Sequence, residues 1–334
     1  MSALLLTPVI AGLVSAAVLG LLLATGAARW LLDQPNARSL HATPTPRCGG
    51  LAVIAGVAAG WWWSAAALDA PVWLSLDTAV WLALAALMLV SLVDDLRGAP
   101  VLVRFPVHLA AAGLAAWSLL GAQYPLPLVI IAAFAIAWMT NLYNFMDGAD
   151  GLAGGMALIG FGAYAAAAAA AGDLGFAAAN AAIAAAAGGF LVYNFPPARV
   201  FLGDVGAIPL GFLAATIGVM GAVRGDWPWW FGVLVFAPFI IDASITLARR
   251  LLRRASVWQA HREHYYQRLV RSGWTHRRTA LAEFGLMTAS GALAVLAAET
   301  PALQGWLLAG ALGAYAALLV WLEQRLPPAR EAAA

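Results

Sequence analysis

The chain contains no lysine, so all 18 of its basic residues are arginines. It is short of charge altogether: charged residues fill 10% of its 334 positions, against 63% hydrophobic. Soluble domains carry roughly 25% charged residues. With a mean hydropathy of +0.84, the composition excludes a pair of soluble domains and indicates a polytopic membrane protein. Cysteine is nearly absent as well. Cys48 stands alone, which rules out an intrachain disulfide and a cysteine-based zinc cluster. Residues Met1 to Leu23 lack the basic leader and cleavage site of a secretory signal, and read as a first spanning helix. The net charge of +2 says little about partners, and no nucleic-acid polymer is expected among them. Residues 1–326 are expected to form one integral-membrane domain, with 327–334 a short disordered tail.

Spanning a bilayer as a helix takes about 20 mainly apolar residues. Such runs cover Leu4–Ala24, Gly50–Leu68, Thr78–Val93, Leu152–Ala171, Phe176–Tyr193, Val205–Val223, Trp229–Leu247, Thr279–Ala298 and Leu303–Leu322. The stretch Phe105–Thr140 is too long for one helix. Gly121, Gln123, Tyr124, Pro125 and Pro127 in its middle mark a turn, and dividing it there gives about eleven spans. The arginines support the division. With it, 17 arginines share one side and Arg224 sits alone on the other; without it, the Arg29–Arg47 and Arg249–Arg278 groups face opposite sides. Basic residues near span ends stay cytoplasmic. The expected fold is therefore all-α, a polytopic membrane protein of about eleven transmembrane helices, with the N-terminus periplasmic and the C-terminus cytoplasmic.

The few acids then gather at the cytoplasmic edge. Asp94 and Asp95 end a span before the turn Gly98-Ala99-Pro100. A helix C-terminus disfavours negative charge, so an acidic pair there suggests a divalent cation or proton transfer. Asn141, Asn144 and Asp147 recur every three residues, on one face if the helix continues. Two Asp-Gly pairs follow, at Asp147 and Asp150. One such pair is an ordinary turn; two beside an asparagine face point to a phosphate–metal group, and magnesium prefers a few carboxylates plus substrate phosphates. Asp204, opening a span after Gly203, is expected to cap that helix and to serve as a metal ligand as well. The basic loop carries His261 and His264, expected on one helix face next to Arg262, as a diphosphate or lipid-phosphate site. The first loop, from Asn36 through Arg38, His41, Thr45 and Arg47, offers anion-binding donors among rigid turns. Asp242 and Arg249 are seven apart, which predicts an ion pair along one face, and Pro238 predicts a break in that helix.

Together these segments resemble the polyprenyl-phosphate N-acetylhexosamine-1-phosphate transferases. The motifs that carry the resemblance are Thr-Pro-Thr-Pro-Arg-x-Gly-Gly, Asp-Asp, Asn-x-x-Asn-x-x-Asp-Gly-x-Asp-Gly-Leu and Val-Phe-x-Gly-Asp-x-Gly. The resemblance implies transfer of a HexNAc-1-phosphate from a UDP-HexNAc to undecaprenyl phosphate, with release of UMP, at the cytoplasmic face of the bacterial inner membrane. It implies Mg2+, with Mn2+ as a substitute, and a homodimer. Residue by residue, it makes Asp204 and Asn144 metal ligands and Asp94, Asp95, Asp147 and Asp150 catalytic, with Asp94 the base or nucleophile. Asn141, Asn194, Arg47, Thr45, Arg104, His261 and His264 become substrate contacts. The cell-wall members carry three consecutive histidines where this chain has His261-Arg262-Glu263-His264, which favours the branch initiating O-antigen and related surface polymers. The second reading is an ion-coupled transporter with Asp242 and His108 as a proton relay.

Overall fold

The computed structural model describes residues 2–33, 43–67, 77–256 and 261–327. The first-loop candidates Asn36, Arg38 and His41 and the tail from 328 onward lie outside the described residues. Ten described helices are long and apolar enough to cross a membrane. They are α1 (Ser2–Thr25), α2 (Gly49–Ala67), α3 (Thr78–Arg97), α4 (Val101–Leu120), α5 (Leu126–Phe145), α6 (Leu152–Ala170), α7 (Leu174–Asn194), α8 (Asp204–Arg224), α12 (His276–Glu299) and α13 (Gln304–Arg325). The division of Phe105–Thr140 holds: α4 and α5 meet at a turn over residues 121–125.

The remaining expected span, Trp229–Leu247, is not one helix. It is split into α9 (Phe231–Val235) and α10 (Ala237–Leu252) around Phe236. Pro238 has no N–H to give and its ring crowds the carbonyl four residues back. The preceding helix closes there, with Phe236 N–H donating to Gly232 O at 3.1 Å. A short helix α11 (Tyr265–Arg271) follows, and a two-residue antiparallel pairing of Leu32–Asp33 with Thr45–Pro46 closes the first loop.

The helix α8 is the centre of the bundle, buried along most of its length, whereas α13 is largely exposed. Close approach to α8 depends on glycine. A Cβ on Gly50 would lie 2.4 Å from Gly206 N, and one on Gly211 would lie 2.7 Å from Met139 O. Small residues at such crossings let membrane helices pack backbone to backbone. Because α3 to α8 alternate in direction, the C-terminal ends of α3, α5 and α7 share one end of the bundle with the N-terminal ends of α4, α6 and α8. The acids of the sequence motifs meet there.

Candidate active site at one end of the bundle

Asp95 is buried at the end of α3 and reaches across to another helix. Its Oδ1 accepts Asp204 N–H at 3.2 Å and its Oδ2 accepts Val205 N–H at 2.9 Å. These are orphan donors of the first turn of α8, so Asp95 caps that helix from a distance. Arg47 steadies it, donating to the Asp95 carbonyl at 2.7 Å with Nε 3.7 Å from Oδ1. The expectation that Asp204 caps its own helix is corrected here. The N-cap is Gly203, at φ 77°, and Asp204 is the first helical residue. A side chain at position 203 would meet Arg47 O at 2.7 Å, so glycine is required on two grounds. With Asp95 doing the capping, the Asp204 carboxylate is left for the cleft.

Arg104, in the first turn of α4, joins the two motifs. Its Nη1 bonds Asp94 and lies 3.0 Å from Asp204 Oδ2, while its Nε is buried with no acceptor among the described residues. The other oxygen of Asp94 accepts Ala99 N–H at 2.6 Å. Asp94 is thus held at the cleft, and its neighbour Asp95 is spent on structure.

The α5–α6 loop departs from a continuous polar face. Helix α5 ends at Phe145, so Asn141 and Asn144 are helical while Asp147 lies in the following turn. Asn141 turns to α4, its Oδ1 3.0 Å from His108 Nδ1 and its Nδ2 donating to Ala137 O at 2.7 Å. Asp147 is half-buried and has no hydrogen-bond donor among the described residues. Burial, reinforced by Asp204, Asp95 and Asp33, pushes its carboxyl well above the usual range. The second Asp-Gly pair differs. Asp150 accepts Ala198 N–H at 3.0 Å and lies 3.3 Å from His276 Nδ1. Asn194 accepts Gly151 N–H at 2.9 Å and donates to Val200 O at 2.8 Å. Asp150 and Asn194 therefore strap the α5–α6 and α7–α8 loops together, and Thr45, buried in its short strand, bonds Thr43 O at 3.1 Å.

The basic segment approaches from the far side. His261 and His264 are not on a helix: α11 begins at Tyr265, and His264 is its N-cap. Their rings still lie 5.0 Å apart. Burial, with His264 and Arg250 nearby, drives the His261 pKa down to about 4. The expected Asp242–Arg249 pair is also corrected. Asp242 accepts from His264 Nδ1 at 3.1 Å, Thr246 Oγ1 at 3.2 Å, Tyr265 N–H at 3.0 Å and Tyr266 N–H at 3.2 Å. Arg249 instead joins Arg268 on Glu323 of α13. The break before α10 and the compact turn into α11 put two backbone amides nearer to Asp242 than any arginine. Tyr266 stacks on His264 and donates to Phe145 O at 3.0 Å, tying this segment to the α5–α6 turn.

Five contributors escaped the sequence reading: Asp33, Tyr266, Glu263, Glu323 and His276. Glu263 pairs with Arg250 and Arg253. Only Glu263 carried a usable signal, as the one acid inside an arginine-rich loop.

Residues 78–222 match the profile of glycosyl transferase family 4. That span holds Asp94, Asp95, Arg104, Asn141, Asn144, Asp147, Asp150, Asn194 and Asp204, all now located at one end of the bundle. The chain is 27% identical over 265 residues to the probable undecaprenyl-phosphate N-acetylglucosaminyl 1-phosphate transferase of Bacillus subtilis, covering 75% of this chain and 72% of that one. It is 29% identical over 303 residues to the decaprenyl-phosphate N-acetylglucosaminephosphotransferase of Mycobacterium tuberculosis, covering 77% and 75%. A shorter likeness, 38% over 120 residues and 35% of each chain, links it to the phospho-N-acetylmuramoyl-pentapeptide-transferase of Lactiplantibacillus plantarum. The matching profile lies over the same acidic loops that converge in space, so over residues 78–222 the chain resembles glycosyl transferase family 4.

Proposed function

We propose that this protein transfers a HexNAc-1-phosphate from a UDP-HexNAc to undecaprenyl phosphate. The products are UMP and undecaprenyl-diphosphate-HexNAc, the first lipid-linked intermediate of a surface polysaccharide such as O-antigen. The observation that carries the reading is the convergence of Asp94 and Asp204 on Arg104, with the half-buried Asp147 given no donor among the described residues. The names of the relatives support a GlcNAc donor and a polyprenyl-phosphate acceptor. The arginine distribution supports a cytoplasmic face for this end of the bundle, in the bacterial inner membrane.

The cleft suits a magnesium ion that arrives with its substrate. Among the described residues, no three acid, histidine or cysteine side chains form a ready-made cage. Magnesium needs none, since it binds through one or two carboxylates plus substrate phosphates. Asp147 and Asp204, with the Asn144 amide, would hold it, and Asp147 is the carboxylate most in need of a cation. When bound, the ion neutralises charge on the donor diphosphate and the departing UMP.

The protein's own groups do the rest. Asp94, held by Arg104 and Ala99 N–H, accepts the proton of the lipid phosphate. An oxygen of that phosphate attacks the sugar-bearing phosphorus, a new P–O–P linkage forms, and the bond to the bridging oxygen breaks so that UMP leaves. Arg104 and Arg47 offset repulsion between the two anions. Among the described residues no contact joins Asp242 to His108, which bonds Asn141 instead, so the transporter reading gains no support. The test is UMP release from UDP-GlcNAc and related donors by purified protein in the presence of undecaprenyl phosphate. An Asp204→Ala protein that kept full magnesium-dependent turnover would overturn the assignment.

A further inference from the structure

Asp242 has no part in the chemistry above, yet its carboxylate is among the most heavily engaged in the protein. It is buried inside α10 and accepts four hydrogen bonds. Two come from Tyr265 and Tyr266 N–H, the first amides of α11, so Asp242 caps α11 from another helix as Asp95 caps α8. A third comes from Thr246, one turn along α10. The fourth involves His264 Nδ1, at 3.1 Å between two buried side chains.

An imidazole has two nitrogens, and the bond made by one decides what the other can do. A carboxylate only accepts, so Nδ1 must carry a proton towards Asp242. That leaves Nε2 as the accepting nitrogen of the ring. The ring is also held in plane. It stacks on Tyr266 at 17° with centroids 5.8 Å apart, and Tyr266 anchors to Phe145 O, two residues before Asp147. There is no slack at this junction, since a Cβ on Gly148 would come within 2.2 Å of the Tyr266 hydroxyl.

We propose that Asp242 is a positioning residue, which fixes the tautomer and plane of His264 so that its Nε2 serves the phosphate chemistry of the cleft. This rests on the transferase reading only for what His264 does; the hydrogen bond itself can be tested without turnover. A carboxylate behind a histidine is a recurrent device for fixing ring orientation, and losing it commonly costs about 10–100-fold in function at metal sites.

The experiment has two arms on purified full-length protein. In the first, the histidines carry 15N and the ring nitrogens of His264 are read by NMR, which needs no reagent to reach a buried ring. In the wild-type protein Nδ1 is expected to be the protonated nitrogen, and Asp242→Asn to lose that preference. A wild-type ring protonated at Nε2 alone would overturn the proposal, even if Asp242→Asn fails to fold. In the second arm, UMP release is measured for Asp242→Asn, His264→Gln and the double variant. Each single variant is expected to lower kcat by about 10–100-fold with little change in donor KM, and the double variant to be no worse than His264→Gln. Additive losses, or losses confined to KM, would make Asp242 merely structural. If wild-type protein releases no UMP from any donor, the transferase reading fails, while the NMR arm still judges the tautomer.

Discussion

Each end of α8 carries an arginine between two aspartates, and the two clusters behave differently. At the far end, Arg224 bonds Asp173, lies 3.2 Å from Asp226 and stacks over Phe176 at 5.0 Å. The acids of that cluster have donors: Asp173 also accepts Phe176 N–H, and Asp77 accepts Ser118 Oγ–H and Ala79 N–H. At the site end, Arg104 serves Asp94 and Asp204, yet Asp147 is left with none. Ion pairs alone therefore do not mark a site. A half-buried carboxylate left beside like charges does, because such a group is costly until a cation or substrate arrives.

The sharpest way to break this comparison is to neutralise Asp147. Asp147→Asn is expected to lower UMP release by about 10²–10³-fold in a steady-state assay. The same change is expected to raise the thermal midpoint of protein kept in chelator, since it removes an uncompensated charge. The sign follows from linkage. The folded carboxyl holds its proton more tightly than the unfolded one, so chelated wild-type protein loses stability as pH climbs above about 4. Asp147→Asn should lack that loss in thermal melts across the same pH series. Lower stability in the variant would contradict the comparison.

Asp95→Ala comes next. It strips the first-turn amides of α8 of their acceptor, and a lost cap costs about 0.5–2 kcal/mol, measurable as a fall in melting midpoint accompanied by reduced turnover. At the other end, Arg224→Ala is expected to cost about 0.2–1 kcal/mol and to leave UMP release unchanged. A large activity loss there would erase the distinction between the two ends. The smallest effect concerns His261. Its folded pKa, about 4, lies below the unfolded value of roughly 6.5. The folded state therefore binds fewer protons between these values, and stability falls as pH drops through that window. His261→Gln should flatten that part of the stability profile.

Much of this was legible in the chain. Periodic apolar runs of bilayer length, the Gly/Pro cluster at 121–127 and the lopsided arginines yield the helices, the α4–α5 turn and the gathering of Asp94, Asp147 and Asp204 at one edge. Those signals are local or summed along the chain, so they survive without a structure. The partners did not survive. Asp95 bonds amides about 110 positions away, and no spacing rule reaches that far. The Asp242–Arg249 expectation failed for the same reason, since helical periodicity ranks neighbours on one helix and is blind to the amides of the next.

The sequence by itself thus determined which residue types reach the site end and which apolar runs carry them there, because hydropathy and charge govern insertion segment by segment. Tertiary structure alone decided how the acids divide their work. Asp95 and Asp242 became caps for foreign helices, Asp150 a strap between loops, and Asp147 the carboxylate without a donor. A carboxylate's role depends on which donors come within about 3 Å, and only the packing of α3, α8, α10 and α11 brings those donors there.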